Sequence, residues 1–136
     1  MSQVSNQVLK SFKAGVTFVS KKYYACMIYG SGYDSTVIVA TGGAAEGTHV
    51  IGIVQNEPAS GEAASVCIGG TSKLVMAANC DRGEKIMSNG SGKGTPVTTD
   101  NYSVIGIALE SNSGGDGNII EVLLTPGGHG HADESN

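Results

Sequence analysis

The phrase Val-Ile-Gly-Ile occurs twice in this chain, at residues 50–53 and again 54 residues later at residues 104–107. Both copies stand in similar surroundings. Each is followed by a polar, glycine-bearing stretch, 55–62 or 110–118, and then by an apolar segment, 64–68 or 119–124. A duplication made of β-branched runs and turn residues predicts two related β units.

The match extends upstream of the phrase, where residues 14–18 align with residues 82–86 at a spacing of 68. The first unit therefore carries about 14 additional residues, which fit best between residues 22 and 33. We expect an internal repeat of about 14–70 and 82–127, within a single β domain that spans residues 14–127.

Short runs rich in Val, Ile, Thr and Tyr recur along this domain, and most of the chain's 21 glycines lie between them. The runs are 16–19, 23–29, 36–41, 50–55, 64–68, 73–77, 85–88, 95–98, 104–109 and 119–125. Glycine at about twice its usual share suits tight turns that need positive φ. The pattern predicts an all-β fold, a small Gly-rich β-barrel or sandwich, and leaves jelly-roll and barrel topologies open.

Two glycines, Gly52 and Gly106, stand at the same position of the duplicated phrase. Glycine weakens a strand unless a bulge, a sharp bend or a close backbone approach requires it. The repetition predicts two equivalent bends at corresponding corners of a barrel.

The two ends of the chain are expected to lie outside this domain. Residues 1–13 are predicted to form an N-terminal arm, helical or extended only when docked, because Val4, Val8 and Phe12 lie four apart in a segment poor in strong helix formers. The polar start has no apolar core of the signal-peptide kind, so we expect no export by that route. Residues 128–136 offer no apolar surface for packing and are expected to form a disordered tail.

Charge and apolarity argue against nucleic-acid and membrane partners. The net charge is −4 with scattered lysines, whereas a nucleic-acid-binding surface would need a basic face. The longest apolar run has seven residues, far short of the roughly 20 that a membrane-spanning helix requires. Three cysteines, Cys26, Cys67 and Cys80, form no C-x-x-C motif and are expected to be buried thiols in a reducing cytoplasm.

None of the candidate motifs for catalysis or metal binding has the required spacing. A P-loop at residues 89–95 would need a further glycine where Met87 stands, and residues 114–118 are one imperfect copy of a calcium-binding repeat. Both segments are better explained as hairpin turns. His129 and His131 lack the further ligands of structural zinc, and His49 is the only histidine in the body of the fold that could serve a cysteine nucleophile. We therefore expect no enzyme activity, no cofactor and no metal site.

Eight short phrases, taken in order, resemble the head decoration, or capsid cement, proteins of tailed bacteriophages. They are Ser-Phe-Lys-Ala-Gly (11–15), Val-Ile-Val-Ala-Thr (37–41), Val-Ile-Gly-Ile-Val-Gln (50–55), Ala-Ser-Gly-Glu (59–62), Gly-Thr-Ser-Lys (70–73), Arg-Gly-Glu-Lys (82–85), Val-Ile-Gly-Ile-Ala-Leu-Glu (104–110) and Ile-Glu-Val-Leu-Leu (120–124). The set covers roughly residues 10–127, and the chain departs from the pattern in its Tyr-rich segment, 23–33, and its histidine-bearing tail.

The resemblance implies a small β-rich protein that binds the exterior of an expanded phage head and locks neighbouring capsomers. Its partner would be the major capsid protein, and such proteins commonly stand as homotrimers. The implied location is the virion, on the capsid exterior, with the host cytoplasm as the site of assembly.

The residues expected to contact the capsid or another subunit are the apolar side chains of the arm and the tyrosines of the Tyr-rich segment. They are Val4, Val8, Leu9, Phe12, Tyr23, Tyr24, Tyr29 and Tyr33. Tyrosine is favoured at subunit interfaces. The alternative function is a small carbohydrate- or ligand-binding β-domain, for which the clustered tyrosines would supply an aromatic surface, although the chain has no tryptophan.

Overall fold

The computed structural model describes residues 6–29, 34–41, 49–97, 102–125 and 129–130, and these residues form ten β-strands and no helix. The strands are β1 (Gln7–Ala14), β2 (Ala25–Ile28), β3 (Thr36–Val39), β4 (Val50–Val54), β5 (Ala63–Val75), β6 (Lys85–Ser88), β7 (Gly94–Pro96), β8 (Tyr102–Ala108), β9 (Ile119–Leu124) and β10 (His129–Gly130). The predicted all-β fold is confirmed. None of the described segments forms a helix long and apolar enough to cross a membrane.

Five strands close into a barrel, called here the first barrel, in the order β1–β3–β2–β4–β5. β5 returns to β1 through antiparallel pairs that run from Gln7↔Gly70 to Lys13↔Ala63, and β1 meets β3 in parallel at Lys13↔Thr36. The barrel interior includes Phe18, which is fully buried although it follows β1 in a turn. The strand predicted at residues 16–19 is therefore wrong.

β5 continues beyond the first barrel without interruption, through Gly70. The sequence predicted two strands, 64–68 and 73–77, with a turn at Gly69–Gly70; this prediction is wrong, since one strand of 13 residues covers the region from Ala63 to Val75. Gly70 has a φ of +84°, and a Cβ there would overlap the carbonyl oxygen of Asn6. Because glycine has no side chain, it adopts this conformation without a clash and keeps the strand continuous.

The second half of β5 begins another sheet, called here the second unit, in the order β5–β9–β8–β6–β7. Met76, just after β5, forms a parallel bridge to Gly94 of β7, which brings β7 back against the end of β5. β1 and β3 meet in the same parallel way in the first barrel, at Ala14↔Val37. The end of β5 therefore corresponds to the end of β1.

The two Val-Ile-Gly-Ile copies occupy equivalent registers. Gly52 pairs with Cys26 and Gly106 pairs with Ile86, and the same register shift follows in each partner strand. Residues 82–86 correspond by this register to residues 22–26, whereas the sequence comparison had aligned them with residues 14–18. The predicted correspondence between residues 14–18 and residues 82–86 is therefore wrong.

Both ends of the chain contain more β-structure than the sequence predicted. From Gln7 onward, the expected N-terminal arm is the wall strand β1. In the expected disordered tail, His129 and Gly130 form β10, which pairs with Ser103 and Tyr102 of β8. Residues 1–5 and 131–136 lie outside the described part of the chain.

The two halves share a hydrophobic core. One buried cluster combines Ile53 and Cys67 of the first barrel with Ile86, Ile105 and Val122 of the second unit. A separate cluster fills the interior of the first barrel. β5 and the first of these clusters belong to both halves. Where the halves meet, each therefore supplies part of the core of the other.

Candidate functional site

Turns 21–24, 59–62 and 81–84 share a backbone hydrogen bond and a positive φ at the third residue, as turns 18–21 and 115–118 also do. In turns 59–62 and 81–84 the third residue is Gly61 or Gly83, with φ of +91° and +90°. The corresponding residue of turn 21–24 is Tyr23, with φ of +69°. In these three turns, the N–H of the fourth residue donates to the carbonyl of the first, over 3.0–3.2 Å. Tyr23 thus adopts a conformation that favours glycine.

The ring of Tyr23 lies between two lysines above the second unit. The ammonium nitrogens of Lys22 and Lys73 lie 5.1 Å and 5.9 Å from its centroid. The half-buried ring packs against the core cluster shared by the two halves. It lines a cleft of about 400 Å³ together with Lys73, Glu110, Ile119, Ile120 and Glu121.

This cleft adjoins an exposed sheet surface, called here the β9 face, formed by Tyr23, Lys73, Leu109, Ile119, Glu121 and Leu123. Lys73 is the register partner of Glu121, and the N–H of Leu109 donates to the carbonyl of Glu121 over 2.9 Å. Side chains directly opposite in an antiparallel pair share a face. Leu109, Ile119 and Leu123 are 43%, 45% and 40% exposed. The result is an apolar surface with Lys73 and Glu121 at its centre. The carboxylate of Glu110 lies beside it and accepts a hydrogen bond from the N–H of Glu121 over 2.9 Å.

A second exposed apolar surface lies on β1, in the first barrel. Val8 and Leu9 are 57% and 52% exposed. They are adjacent in sequence yet both exposed, because the register shifts between them and their strand pairs only with β5 at this point. Phe12 is half-buried against the interior of the first barrel, with the ammonium of Lys10 at 5.5 Å from its ring centroid.

The tyrosines predicted to act as one cluster are separated in the structure. Tyr23 packs against the shared core, whereas Tyr24 packs against the interior cluster of the first barrel. Tyr29 lines a different cleft, of about 400 Å³, with Lys13, Thr36 and Ser60 among its other residues. Two further predicted contact residues, Val4 and Tyr33, lie outside the described residues. The described tyrosines therefore form no common aromatic surface of the kind expected for carbohydrate binding.

Sequence reasoning missed the apolar part of the β9 face. Ile119, Glu121 and Leu123 alternate with the buried Ile120, Val122 and Leu124 along β9. In a strand with one solvated face, the outward positions are usually polar. Ile119 and Leu123 are outward positions of β9 and are apolar, so this pattern in the sequence could have indicated an interaction surface.

The cysteine thiols of this chain lie in its interior. The three cysteines are buried thiols, and burial raises the pKa of Cys26 to about 12 and also raises the pKa values of Cys67 and Cys80. Within the described ranges, no group of three or more His, Cys, Asp and Glu side chains is arranged to hold a metal ion.

The two segments that the sequence analysis weighed as ligand loops have turn geometry. In the first, the Asn89 side-chain oxygen accepts from the N–H groups of Ser91 and Lys93, between β6 and β7. In the second, the buried Asn112 side chain bonds the backbone of Gly114 and Gly115.

The chain was compared with protein families and with solved structures. Residues 30–124 match the phage cement protein family. The crystal structure of the head fiber gp8.5 N base of bacteriophage phi29 aligns over 88% of this chain and 94% of its own, with a TM-score of 0.59 and 17% sequence identity. At that identity the likeness shows a shared fold. No curated protein matches the chain.

The family match covers more than two thirds of the chain, including β3 to β9 and both copies of the duplicated phrase. The chain therefore belongs to the phage cement protein family, whose members are structural proteins of the phage capsid and not a class of enzyme.

Proposed function

We propose that this protein binds the exterior of a phage head and stabilises the contacts between capsomers. The match of residues 30–124 to the cement family carries the proposal. The partner is the major capsid protein, and the protein acts as a homo-oligomer, a trimer, that assembles onto the head in the host cytoplasm.

The distribution of exposed apolar residues supports a cementing role. One such surface, with Val8 and Leu9, lies on the first barrel, and the β9 face lies on the second unit. If each copy binds one capsomer and the copies also bind one another, neighbouring capsomers are held together. Two surfaces on different halves of one body allow both contacts at once.

Within this proposal, the β1 surface is the capsid contact. Val8 and Leu9 are more than half exposed, whereas Phe12 lies on the opposite side of the strand, against the barrel interior, and is only half-buried there. Removing such side chains from water stabilises a complex by roughly 1.5–3 kcal/mol each at full burial. Because β1 is a wall strand, its side chains are held in place before binding, which lowers the entropic cost of association. Val4, Tyr24, Tyr29 and Tyr33 remain predictions from the sequence.

The proposal is tested with expanded, undecorated heads of the phage that encodes the protein. Purified protein should bind them saturably, as followed by pelleting and imaging. Saturated shells should withstand higher temperature or more chaotrope than bare shells, because a ligand that binds only the assembled state stabilises it. Identical melting of bare and saturated shells would show that the protein does not act as a cement.

The β1 contact is tested with Leu9→Asp, using Val19→Asp as the matched control. Val19 is 56% exposed and follows β1 in a turn, outside both apolar surfaces. Leu9→Asp should weaken capsid binding roughly tenfold or more, whereas Val19→Asp should bind as the parent does. Equal binding by both variants would move the capsid contact away from β1.

A further inference from the structure

The internal repeat allows the β9 face to be compared with its counterpart in the first barrel. Leu123 pairs with Ile107 as Cys67 pairs with Ile53, so Leu123 corresponds to Cys67 and Ile107 to Ile53. Cys67 and Ile53 are fully buried, in the core cluster that contains residues of the second unit. Leu123 is 40% exposed and Ile107 is half-buried. The face of the first barrel that carries Cys67 and Ile53 is buried within the chain. The corresponding face of the second unit, the β9 face, is exposed to solvent.

The charges of the β9 face are of opposite sign and adjacent. Lys73 and Glu121 are both exposed and directly opposite in the β5–β9 register. A surface that carries both signs at its centre is complementary to another copy of itself, since the lysine of one copy can meet the glutamate of the next. A strongly acidic or basic partner would leave one of the two charges unpaired.

Tyr23 supplies a third, independent observation. By the register of the repeat, Tyr23 corresponds to Gly83, and glycine at residue 23 would relieve its left-handed backbone. The other described non-glycine residue at this position of such a turn is the small Ser20, in turn 18–21. A conformation of this kind is unfavourable for a bulky residue and marks positions where the side chain itself has a role. The ring of Tyr23 lines the cleft beside the β9 face with Ile119 and Glu121, and the ammonium groups of Lys22 and Lys73 lie 5.1 Å and 5.9 Å from its centroid.

We infer that copies of this chain associate with one another through the β9 face. Leu109, Ile119 and Leu123 form the apolar centre, Tyr23 extends it, and Lys73 of one copy pairs with Glu121 of the next. The inference deepens the proposed function, which includes an oligomer, by assigning the surface of contact between its copies. It requires no capsid, so a failure of self-association and a failure of capsid binding are separate results.

The test is the molar mass of the full chain in solution, measured by light scattering or sedimentation over a range of concentrations. The parent should form an oligomer. Leu123→Glu and Ile119→Glu should each weaken association roughly tenfold or more, because a carboxylate would be buried in the contact. Val19→Glu introduces the same charge at an exposed apolar position outside the face and should leave the molar mass unchanged.

A double charge exchange and a tyrosine variant complete the test. Lys73→Glu should reduce association, and Lys73→Glu combined with Glu121→Lys should restore it. Tyr23→Gly should weaken association while the protein remains folded, as judged by circular dichroism and denaturant midpoint. A parent that is monomeric at every concentration, or folded β9-face variants that associate as tightly as the parent, would overturn the inference. If the parent is monomeric and still binds the capsid, and Leu123→Glu abolishes that binding, the inference is overturned and the β9 face is assigned to the capsid.

Discussion

At the scale of single residues, the duplicated glycines are explained by close backbone approach. A Cβ at Gly52 would overlap the carbonyl oxygen of Cys67, and one at Gly106 would overlap that of Leu123. Both also stand beside a register shift in the neighbouring strand. The sequence predicted equivalent positions for the two glycines, and the structure adds the physical reason, which is the space that a side chain would need.

Replacing either glycine should therefore destabilise the fold. We expect Gly52→Val and Gly106→Val each to lower the free energy of unfolding by roughly 1–3 kcal/mol, measured by denaturant titration. Gly69→Ala is the matched control, because a Cβ at Gly69 would lie at an ordinary 3.5 Å from Val8. Unchanged denaturant midpoints in both valine variants would show that the glycines are ordinary strand positions.

The buried thiol of Cys26 predicts a stability that declines in alkali. Its pKa is raised from 9.0 to about 12 by burial, so between these values the unfolded chain releases a proton that the folded chain retains. The free energy of unfolding then falls with rising pH, by up to about 1.4 kcal/mol per pH unit from this group. The stability of the parent relative to Cys26→Ala should decrease from pH 8 to pH 10. A constant difference across that range would contradict the assignment.

At the scale of elements, β1 is a part of the barrel wall. It pairs with β5 from Gln7 to Lys13 and meets β3 at its end. Deleting residues 2–12 would expose the edge of β5 and open the first barrel, so we expect a large loss of stability, seen as a lower melting temperature. Deleting residues 132–136 removes no described strand and should leave melting unchanged. Equal melting of the parent and the N-terminal deletion would show that β1 is dispensable.

Short local signals predicted most strands, and the failures have identifiable causes. Runs 23–29, 36–41, 50–55, 85–88 and 119–125 contain β2, β3, β4, β6 and β9, and run 104–109 covers β8 except for its first two residues. β5 was divided in two because Gly69–Gly70 has the composition of a turn, whereas pairing to β1 keeps the strand continuous through Gly70. β1 was missed because few of its residues are buried, so its strand pattern is weak, and its partners lie far along the chain.

The candidate surfaces were predicted only in part, since surface proximity is a property of the fold. The sequence singled out Val8, Leu9 and Tyr23, which are exposed or line a cleft. It grouped Tyr23 and Tyr24 because they are neighbours in sequence, yet they pack against different core clusters. Leu109 and Leu123 could be joined into one face only once the β8–β9 register was known.

At the scale of the whole molecule, the shared core makes the two halves dependent on each other. β5 belongs to both, and Ile53 and Cys67 of the first barrel complete the cluster that contains Ile120 and Val122 of the second unit. In the proposed cementing role, the shared core would couple a contact made by one half to the other half. The same arrangement predicts that the chain unfolds in a single cooperative transition.

Cooperativity can be tested with a matched pair of core substitutions. Val66 and Val122 are both fully buried and occupy corresponding positions of β5 and β9. Val66→Ala and Val122→Ala should each lower the free energy of unfolding by roughly 1–3 kcal/mol. In hydrogen exchange, each should reduce the protection of the most stable amides of β4 and of β8 by the same amount, because these amides exchange only on global unfolding. If each substitution lowered protection only in its own half, the halves would be independent folding units, and the continuous β5 would be a linker between them.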